Sequence, residues 1–311
     1  MRSVSRLSFD QRLRVTAALV DGCSIRATER LCAVHRDTVM RWGLSLGEAC
    51  QRLHDALVGG VHVDLLQLDE IHSFVAKKQG HLADDDPSDM GDTWTFVGLD
   101  AIRKTIVGYR VGKRTGATAD VFALDLRQRI VNQPQISSDG YAPYCEAIAL
   151  SFGREVDYGQ VVKQYGGNPS RYRGSIKTPI FGNPAPKTMG TSHIERENLT
   201  TRMNIRRFTR RSNGFSKKLR HHTAAFALYA AHYNFCRVHE TLRTTPAVAI
   251  GVAERVWSLG ELIEVAPSIA TAPSAELLPA PAEAPARAAR RRQPKDERQM
   301  SFGFKGPSEQ T

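Results

Sequence analysis

Three acidic side chains, Asp69, Asp139 and Glu195, stand in sequence contexts that suit one shared metal site. Asp69 closes the apolar stretch Val61–Leu68, as at the tip of a buried strand. Asp139 follows Pro134-Gln135-Ile136-Ser137-Ser138 and precedes Gly140, which reads as a second strand tip turning sharply into a helix. Glu195 lies in the basic helical run His193-Ile194-Glu195-Arg196-Glu197-Asn198. Carboxylates are hard oxygen donors, and Mg²⁺ held by a few of them keeps waters that a substrate phosphate can replace. Two such ions ~3.5–4 Å apart stabilise both the attacking and the leaving oxygen of an in-line phosphoryl displacement. The expected chemistry is therefore phosphodiester cleavage or transfer with two Mg²⁺ ions, for which Mn²⁺ can substitute.

Local geometry sorts some of the acids and leaves others open. Along the first strand Gln67, Asp69 and Ile71 share one face while Leu66, Leu68 and Glu70 share the other. Asp69 and Glu70 are therefore not both expected at the metals, and Asp69, directly after the apolar run, is the choice. In the third segment Ile194, Thr201, Ile205 and Phe208 form a stripe. Glu195 lies ~100° to one side of Ile194 and Glu197 ~60° to the other, so periodicity does not choose between them. Glu195 shares its face with Asn198, Leu199 and Arg202, which could fix or assist it. Arg196, Arg202, Arg206, Arg207, Arg210, Arg211, Lys217, Lys218 and Arg220 crowd the same span, and together with Asn198 they are expected to seat a DNA backbone against a metal site.

The chain as a whole agrees. Its 43 Lys and Arg against 32 Asp and Glu give a net charge of +11, which favours a polyanionic partner through counterion release. At 311 residues it has room for two or three domains of ~100–200 residues. No apolar run approaches the ~20 residues of a membrane span, and no signal-peptide core is expected at the N-terminus. Cys23, Cys32, Cys50, Cys145 and Cys236 form no C-x-x-C pair and read as reduced packing residues of a cytosolic protein.

The elements that must position the acids follow from pattern. Residues 1–55 read as helical: Ser8-Phe9-Asp10-Gln11 is a capping box for a helix ending near Gly22. Ser24 caps a short helix to Leu31, Cys32–His35 turns, and a third helix spans Arg36–Leu46. That order is a helix-turn-helix, whose last helix would enter the major groove and present Arg36, Asp37, Met40 and Arg41. Residues 61–250 then give strands at Val61–Leu68, Thr93–Leu99, Thr105–Val111, Gln135–Ser137 and Glu155–Val162, with helices at Thr118–Ile130 and Ala142–Phe152. Three strands, then helix, strand, helix and strand, is the order of an RNase H-like mixed sheet. The acidic loop Asp84–Asp89 reads as a solvated hairpin tip, and 166–190 as a long loop. Helices return at His193–Arg211 and from Ser216, where Leu219, His222, Phe226, Tyr229, Tyr233 and Cys236 form a core stripe. Thr245-Pro246 starts and Gly251 stops a further helix, and 266–311 is an Ala/Pro-rich basic tail expected to be disordered. The fold class is thus α/β: an N-terminal helix-turn-helix, an RNase H-like catalytic domain with C-terminal helices, and a tail.

At several of these residues the chain resembles the DDE transposases of insertion sequences, specifically the insertion sequence one family. The motifs are Asp69-Glu70-Ile71-His72-Ser73-Phe74-Val75, Ser138-Asp139-Gly140-Tyr141, Gly182-Asn183-Pro184 and, most specific of all, Ser192–Arg202. Arg206–Arg210 and Phe215–Lys218 continue the likeness, which covers roughly residues 65–250. It implies an RNase H-like enzyme that cleaves transposon ends and joins their 3′-hydroxyls to target DNA, with Asp69, Asp139 and Glu195 as catalytic acids. The resemblance, not periodicity, selects Glu195 over Glu197. It also implies DNA partners (terminal inverted repeats and target), at least a homodimer on paired ends, and a place at the nucleoid in the bacterial cytoplasm. His72 stands where relatives often carry Trp, and the cysteine-paired zinc finger common in relatives has no counterpart here.

Other chemistries have less support. No P-loop motif occurs, Tyr141 lacks an accompanying Arg-His-Arg set, and His193 reads equally as a phosphate or metal contact and as a packing residue. The rival readings are a structure-specific nuclease of the same fold and a non-catalytic DNA-binding regulator. In the tail, Gln299-Met300-Ser301-Phe302-Gly303-Phe304 has the look of a sliding-clamp-binding peptide.

Overall fold

A computed structural model describes residues 7–167 and 171–271. Three helices open it: α1 (Phe9–Val20), α2 (Ile25–Cys32) and α3 (Arg36–Leu57). The capping box at α1 is formed, with Ser8 Oγ accepting from the Gln11 amide at 3.2 Å and Gln11 Oε1 accepting from the Ser8 amide at 3.0 Å. Ser24 Oγ caps α2 through the Ala27 amide, and Ala33, at φ 52°, ends it in the left-handed region. Val15, Cys32, Val34 and Val39 make a small core, and Trp42 Nε1 donates to Thr16 Oγ1 across it.

α3 runs eleven residues beyond Leu46, where the sequence places its end. Gly47 is the reason it can. A Cβ there would lie 2.2 Å from the Ala224 carbonyl oxygen, so the glycine allows α3 to lie directly on α7 (Leu219–Ala231). Leu46, Ala49, Cys50 and Leu53 then pack with Leu228, Ala231 and Phe235, and with Leu262, Ile263 and Ala266 of α9 (Leu259–Thr271). The N-terminal helices therefore share a core with the C-terminal ones and do not stand apart at residue 55. α9 also continues past residue 266, where the tail was expected to begin; residues 272–311, including Gln299–Phe304, lie outside the described residues.

The middle of the chain is a six-stranded mixed sheet in the order β3-β2-β1-β4-β5-β6. Its strands are β1 (Leu65–Val75), β2 (Gly91–Asp100), β3 (Ile106–Gly112), β4 (Gln135–Ser138), β5 (Tyr158–Gly166) and β6 (Arg171–Phe181). β1, β2 and β3 pair antiparallel, β4 and β5 run parallel to β1, and β6 returns antiparallel to β5. This α/β arrangement is compatible with an RNase H-like fold. Two strand assignments need correction. β1 begins at Leu65 and continues to Val75, so Asp69 sits within the strand rather than at its tip; Val61 forms only an isolated bridge to Ile130. β6 occupies the span read as a loop; Tyr172, Ile176 and Ile180 alternate with Arg171, Arg173 and Lys177, but Gly174, Thr178 and Pro179 interrupt the pattern and most of the strand is exposed.

Both faces of the central sheet are covered, which is what parallel strands require. On one side Leu66, Leu68 and Phe96 pack against α4 (Gly116–Arg129) and α5 (Pro143–Phe152) through Phe122, Leu126, Tyr144 and Ile148. On the other, Ile71, Val97, Leu99 and Ile106 meet α6 (Ser192–Asn204) and α7 through Ile194, Phe226 and Tyr229. Complete burial of each such side chain is worth about 1.5–3 kcal/mol, so this two-sided core is the main anchor of the sheet. The expected stripe on α7 is core: His222, Phe226, Tyr229 and Tyr233 are buried. α7 ends in a π turn, His232–Cys236, and the short α8 (Pro246–Ala249) follows with proline at its first turn. The Asp84–Asp89 loop is closed by Lys77, whose ammonium reaches both Asp86 oxygens at 2.6 and 2.7 Å. No described helix is long and apolar enough to cross a membrane.

Candidate metal centre

The site arises where β4 stops. Parallel pairing sets Leu68 of β1 beside Ser138 of β4, the last residue of that strand. One residue further on each chain come Asp69 and Asp139, so the two aspartates flank the crevice that opens when β4 ends. Asp139 is held by the turn that follows it, its Oδ1 accepting from the Tyr141 amide at 2.9 Å. Glu195 comes from the first turn of α6, which β1 itself caps: Gln67 Oε1 accepts from the amides of His193 and Ile194, each at 3.0 Å. Thr191, at the N-cap position, makes no such bond. A polar side chain inside an apolar strand thus satisfies the free donors of a helix end and fixes that helix on the sheet.

Asp69, Asp139 and Glu195 line one cavity of ≈ 330 Å³ together with Gly140, Val161, Val162, Lys163 and Thr191. Asp69 Oδ2 accepts from Asn198 Nδ2 at 2.8 Å and its Oδ1 from the Glu70 amide at 2.8 Å. Burial pushes the Asp69 carboxyl up to about 6, and the negative charges of Asp139 and Glu195 add to that rise. The Glu70 amide and Asn198 oppose it by bonding the ionised form. Glu195 receives the Thr191 hydroxyl at 2.7 Å on one oxygen and pairs with the Lys163 ammonium on the other.

Glu70 belongs to this neighbourhood as well, although strand alternation sends it to the opposite face. One oxygen from each of Asp69, Glu70 and Asp139 lies within 4.8 Å of the others. The two faces meet because no neighbouring strand separates them beyond the end of β4. Glu70 is buried, which raises its carboxyl to about 7, and its Oε2 accepts from Arg114 Nε and Nη2 at 3.1 and 3.0 Å. Arg114 also stands 3.7 Å from Asp139 Oδ2, with its guanidinium over the rings of Trp94 and Tyr141. Lys163 and Arg114 thus place positive charge against a cluster of acids that would otherwise repel one another.

Glu197, the alternative that periodicity leaves open, is elsewhere. It is buried between α6 and α7, where the Tyr229 hydroxyl donates to it at 2.5 Å and Thr201 at 3.4 Å. His193 does not line the cavity; its Nδ1 meets Lys104 Nζ at 3.1 Å.

The residues expected to hold DNA divide in two. Arg196, Arg206, Arg210, Lys217 and Lys218 are exposed, as are Arg36 and Arg41 on the first turns of α3. Asn198, Arg202 and Arg207 turn inward, which corrects their expected role as free phosphate contacts. Asn198 holds Asp69, and Arg202 donates to the carbonyls of His72 (3.3 Å) and Phe208 (3.0 Å), tying α6 to β1. Arg207 is half-buried, and desolvation lowers its pKa. Met40 likewise faces an apolar cleft of ≈ 460 Å³ between α1–α3 and residues 204–229, not open solvent.

Sequence reasoning misses Gln67, Glu70, Arg114, Lys163 and Thr191 as members or supports of the site. Only Gln67 carries a local signal, as a polar residue within an apolar strand; the others come together through tertiary packing alone. In comparison with known proteins, the chain matches no family model and no curated protein.

Proposed function

We propose that this protein is a transposase that cuts DNA strands at the ends of an insertion sequence and transfers the freed 3′-hydroxyls to target DNA. The observation that carries the reading is the meeting of Asp69, Asp139 and Glu195 in one cavity at the end of a parallel strand, on a chain of net charge +11. The RNase H-like reading of the sheet and the sequence motifs around the three acids support it further.

The donor set fits a hard divalent ion. It consists of carboxylates with no thiol or imidazole among them, one oxygen each of Asp69, Asp139 and the neighbouring Glu70 lies within 4.8 Å of the others, and the buried Asn198 Oδ1 beside Asp69 has no hydrogen-bond partner among the described residues. Asp69, Asp139 and Glu195 would hold Mg²⁺, which when bound supplies Lewis-acid stabilisation of the attacking and leaving oxygens. Around them, Asn198 and the Glu70 amide fix the Asp69 carboxylate, Thr191 orients Glu195, and Gln67 holds the start of α6. Arg114 pairs with Glu70 and offsets its charge beside Asp69 and Asp139. The exposed cations Arg196, Arg206, Arg210, Lys217 and Lys218 would bind backbone phosphates. The first three helices act as the helix-turn-helix that recognises the inverted repeats through Arg36 and Arg41, and two copies of the chain hold the paired ends.

The experiment is a joining assay with labelled oligonucleotides that carry the element's own ends and a plasmid target, run with Mg²⁺ and with chelator. Cleavage and joining in Mg²⁺ alone is the expected result. Cleavage without joining of a pre-cut end would assign the protein to structure-specific nucleases, and neither activity would leave a DNA-binding regulator.

A further inference from the structure

We propose that the ribbon formed by the outer parts of β5 and β6 is a platform for unpaired nucleotides, on which bases stack against Tyr165 and Tyr172 while Lys163, Arg171 and Arg173 hold the backbone. The inference deepens the nucleic-acid reading above and rests on it.

β5 pairs with β4 only from Tyr158 to Gln160. Beyond that point Val161–Gly166 and Arg171–Lys177 pair with each other alone and leave the sheet as a two-stranded ribbon. A free ribbon ordinarily keeps large apolar side chains off its surface, since nothing covers them. This one exposes four: Val162, Tyr165, Tyr172 and Ile176, with Tyr165 at 61% and Tyr172 at 59% exposure. The two tyrosines face each other across the strands, with ring centroids 6.1 Å apart and planes inclined at 68°.

Charge names the occupant. From Tyr158 to Phe181 the sequence carries Lys163, Arg171, Arg173 and Lys177 and no acid. Aromatic rings interleaved with cations are how single-stranded nucleic acid is bound, because every base has a face to stack and every nucleotide a phosphate to pair. A duplex offers such rings no free base faces along its length. The ribbon is also continuous with the candidate metal centre: Lys163 pairs with Glu195 in the cavity wall. Nucleotides frayed next to a cut site would reach the tyrosines directly from that cavity.

The test uses the full chain in chelator, so that binding is read without cleavage. Fluorescence anisotropy would compare a blunt duplex, the same duplex with a short single-stranded tail, and oligo(dT). The wild type should prefer the tailed duplex. Tyr165→Ala and Tyr172→Ala should each weaken tail and oligo(dT) binding by about tenfold, leave blunt-duplex affinity unchanged, and be rescued by phenylalanine. Lys163→Ala, Arg171→Ala and Arg173→Ala should weaken both forms and flatten the salt dependence. Equal affinity of the double tyrosine-to-alanine variant and the wild type for the tailed duplex would overturn the proposal. A change in sedimentation with DNA affinity intact would do so too, and would assign the ribbon to contact with a second copy. If tail binding behaves as described but the joining assay shows no metal-dependent chemistry, the platform stands and the transposase reading falls; the reverse pattern removes the platform alone.

Discussion

Glu195→Gln is expected to reduce Mg²⁺-dependent strand cleavage by about 10²–10⁴-fold, whereas Glu197→Gln leaves it close to the wild-type rate. The first removes a charge from the cavity that Asp69 and Asp139 also line; the second changes a carboxyl enclosed by Tyr229 and Thr201 outside it. The magnitude follows from the several kcal/mol of transition-state stabilisation that bound metal supplies and that a missing ligand forfeits. Asp69→Asn and Asp139→Asn should show the same loss while DNA binding, measured in chelator, is retained. Equal activity of the Glu195 and Glu197 variants would remove Glu195 from the site.

A second large effect concerns stability in acid. His222 is buried between β1 and the Phe208 ring, with Ser73 Oγ at 2.9 Å from Nε2 and Ser216 Oγ at 3.0 Å from Nδ1. Ser73 Oγ also donates to the Thr93 carbonyl, so the network assigns the proton of the neutral ring to Nε2 and the lone pair to Nδ1, where Ser216 donates. Charging the ring puts a hydrogen on Nδ1, so that the Ser216 hydroxyl has to turn from donor to acceptor, and places a positive charge where there is little solvent and Arg207 is near by. Burial accordingly lowers the His222 pKa to about 3, and Arg207 acts in the same direction. The unfolded chain takes up this proton near 6.5, the folded chain only near 3. The stabilising contribution is therefore complete above the unfolded value and is lost as pH falls through the interval, at about 1.4 kcal/mol per pH unit.

His54, also near 3, adds to the acid loss, while the raised carboxyls of Asp69 and Glu70 act the other way. The single variant isolates one group. Urea unfolding should show His222→Gln less stable than the wild type near neutrality, with the gap closing by about 3 kcal/mol between about pH 7 and about pH 4. A gap independent of pH would contradict a neutral buried His222.

Much of this organisation is legible in the sequence, for reasons that differ by element. The capping serines Ser8 and Ser24 mark helix starts because their chemistry is local. Asp139 is readable because the short strand Gln135–Ser138 runs into Asp-Gly, and the α7 stripe because burial imposes a helical period. β6 is hard to read: Gly174, Thr178 and Pro179 interrupt the alternation of Tyr172, Ile176 and Ile180, and most of the strand is exposed. α3 outruns its expected end because Gly47 is placed for contact with Ala224 on another helix, information that no local window holds.

Glu195 and Glu197 flank the same buried stripe, so only the position of α7, with Tyr229 reaching Glu197, separates them. Gln67, Thr191 and Lys163 support the site from three distant segments, and nothing near them in sequence announces a common task. Strand alternation does assign Glu70 to the far face of β1, yet it misses that both faces converge where β4 ends.

Asp69, Asp139 and Glu195 are proposed to form one divalent-metal site. The most direct measurement is anomalous diffraction from crystals of the full chain soaked in Mn²⁺. Anomalous density is expected in the cavity at coordination distance from carboxylate oxygens of Asp69 and Asp139, with Glu195 released from Lys163 to complete the set, and no such density in the Asp139→Asn variant. A cavity without anomalous density at saturating Mn²⁺, or density only at other acids, would contradict it.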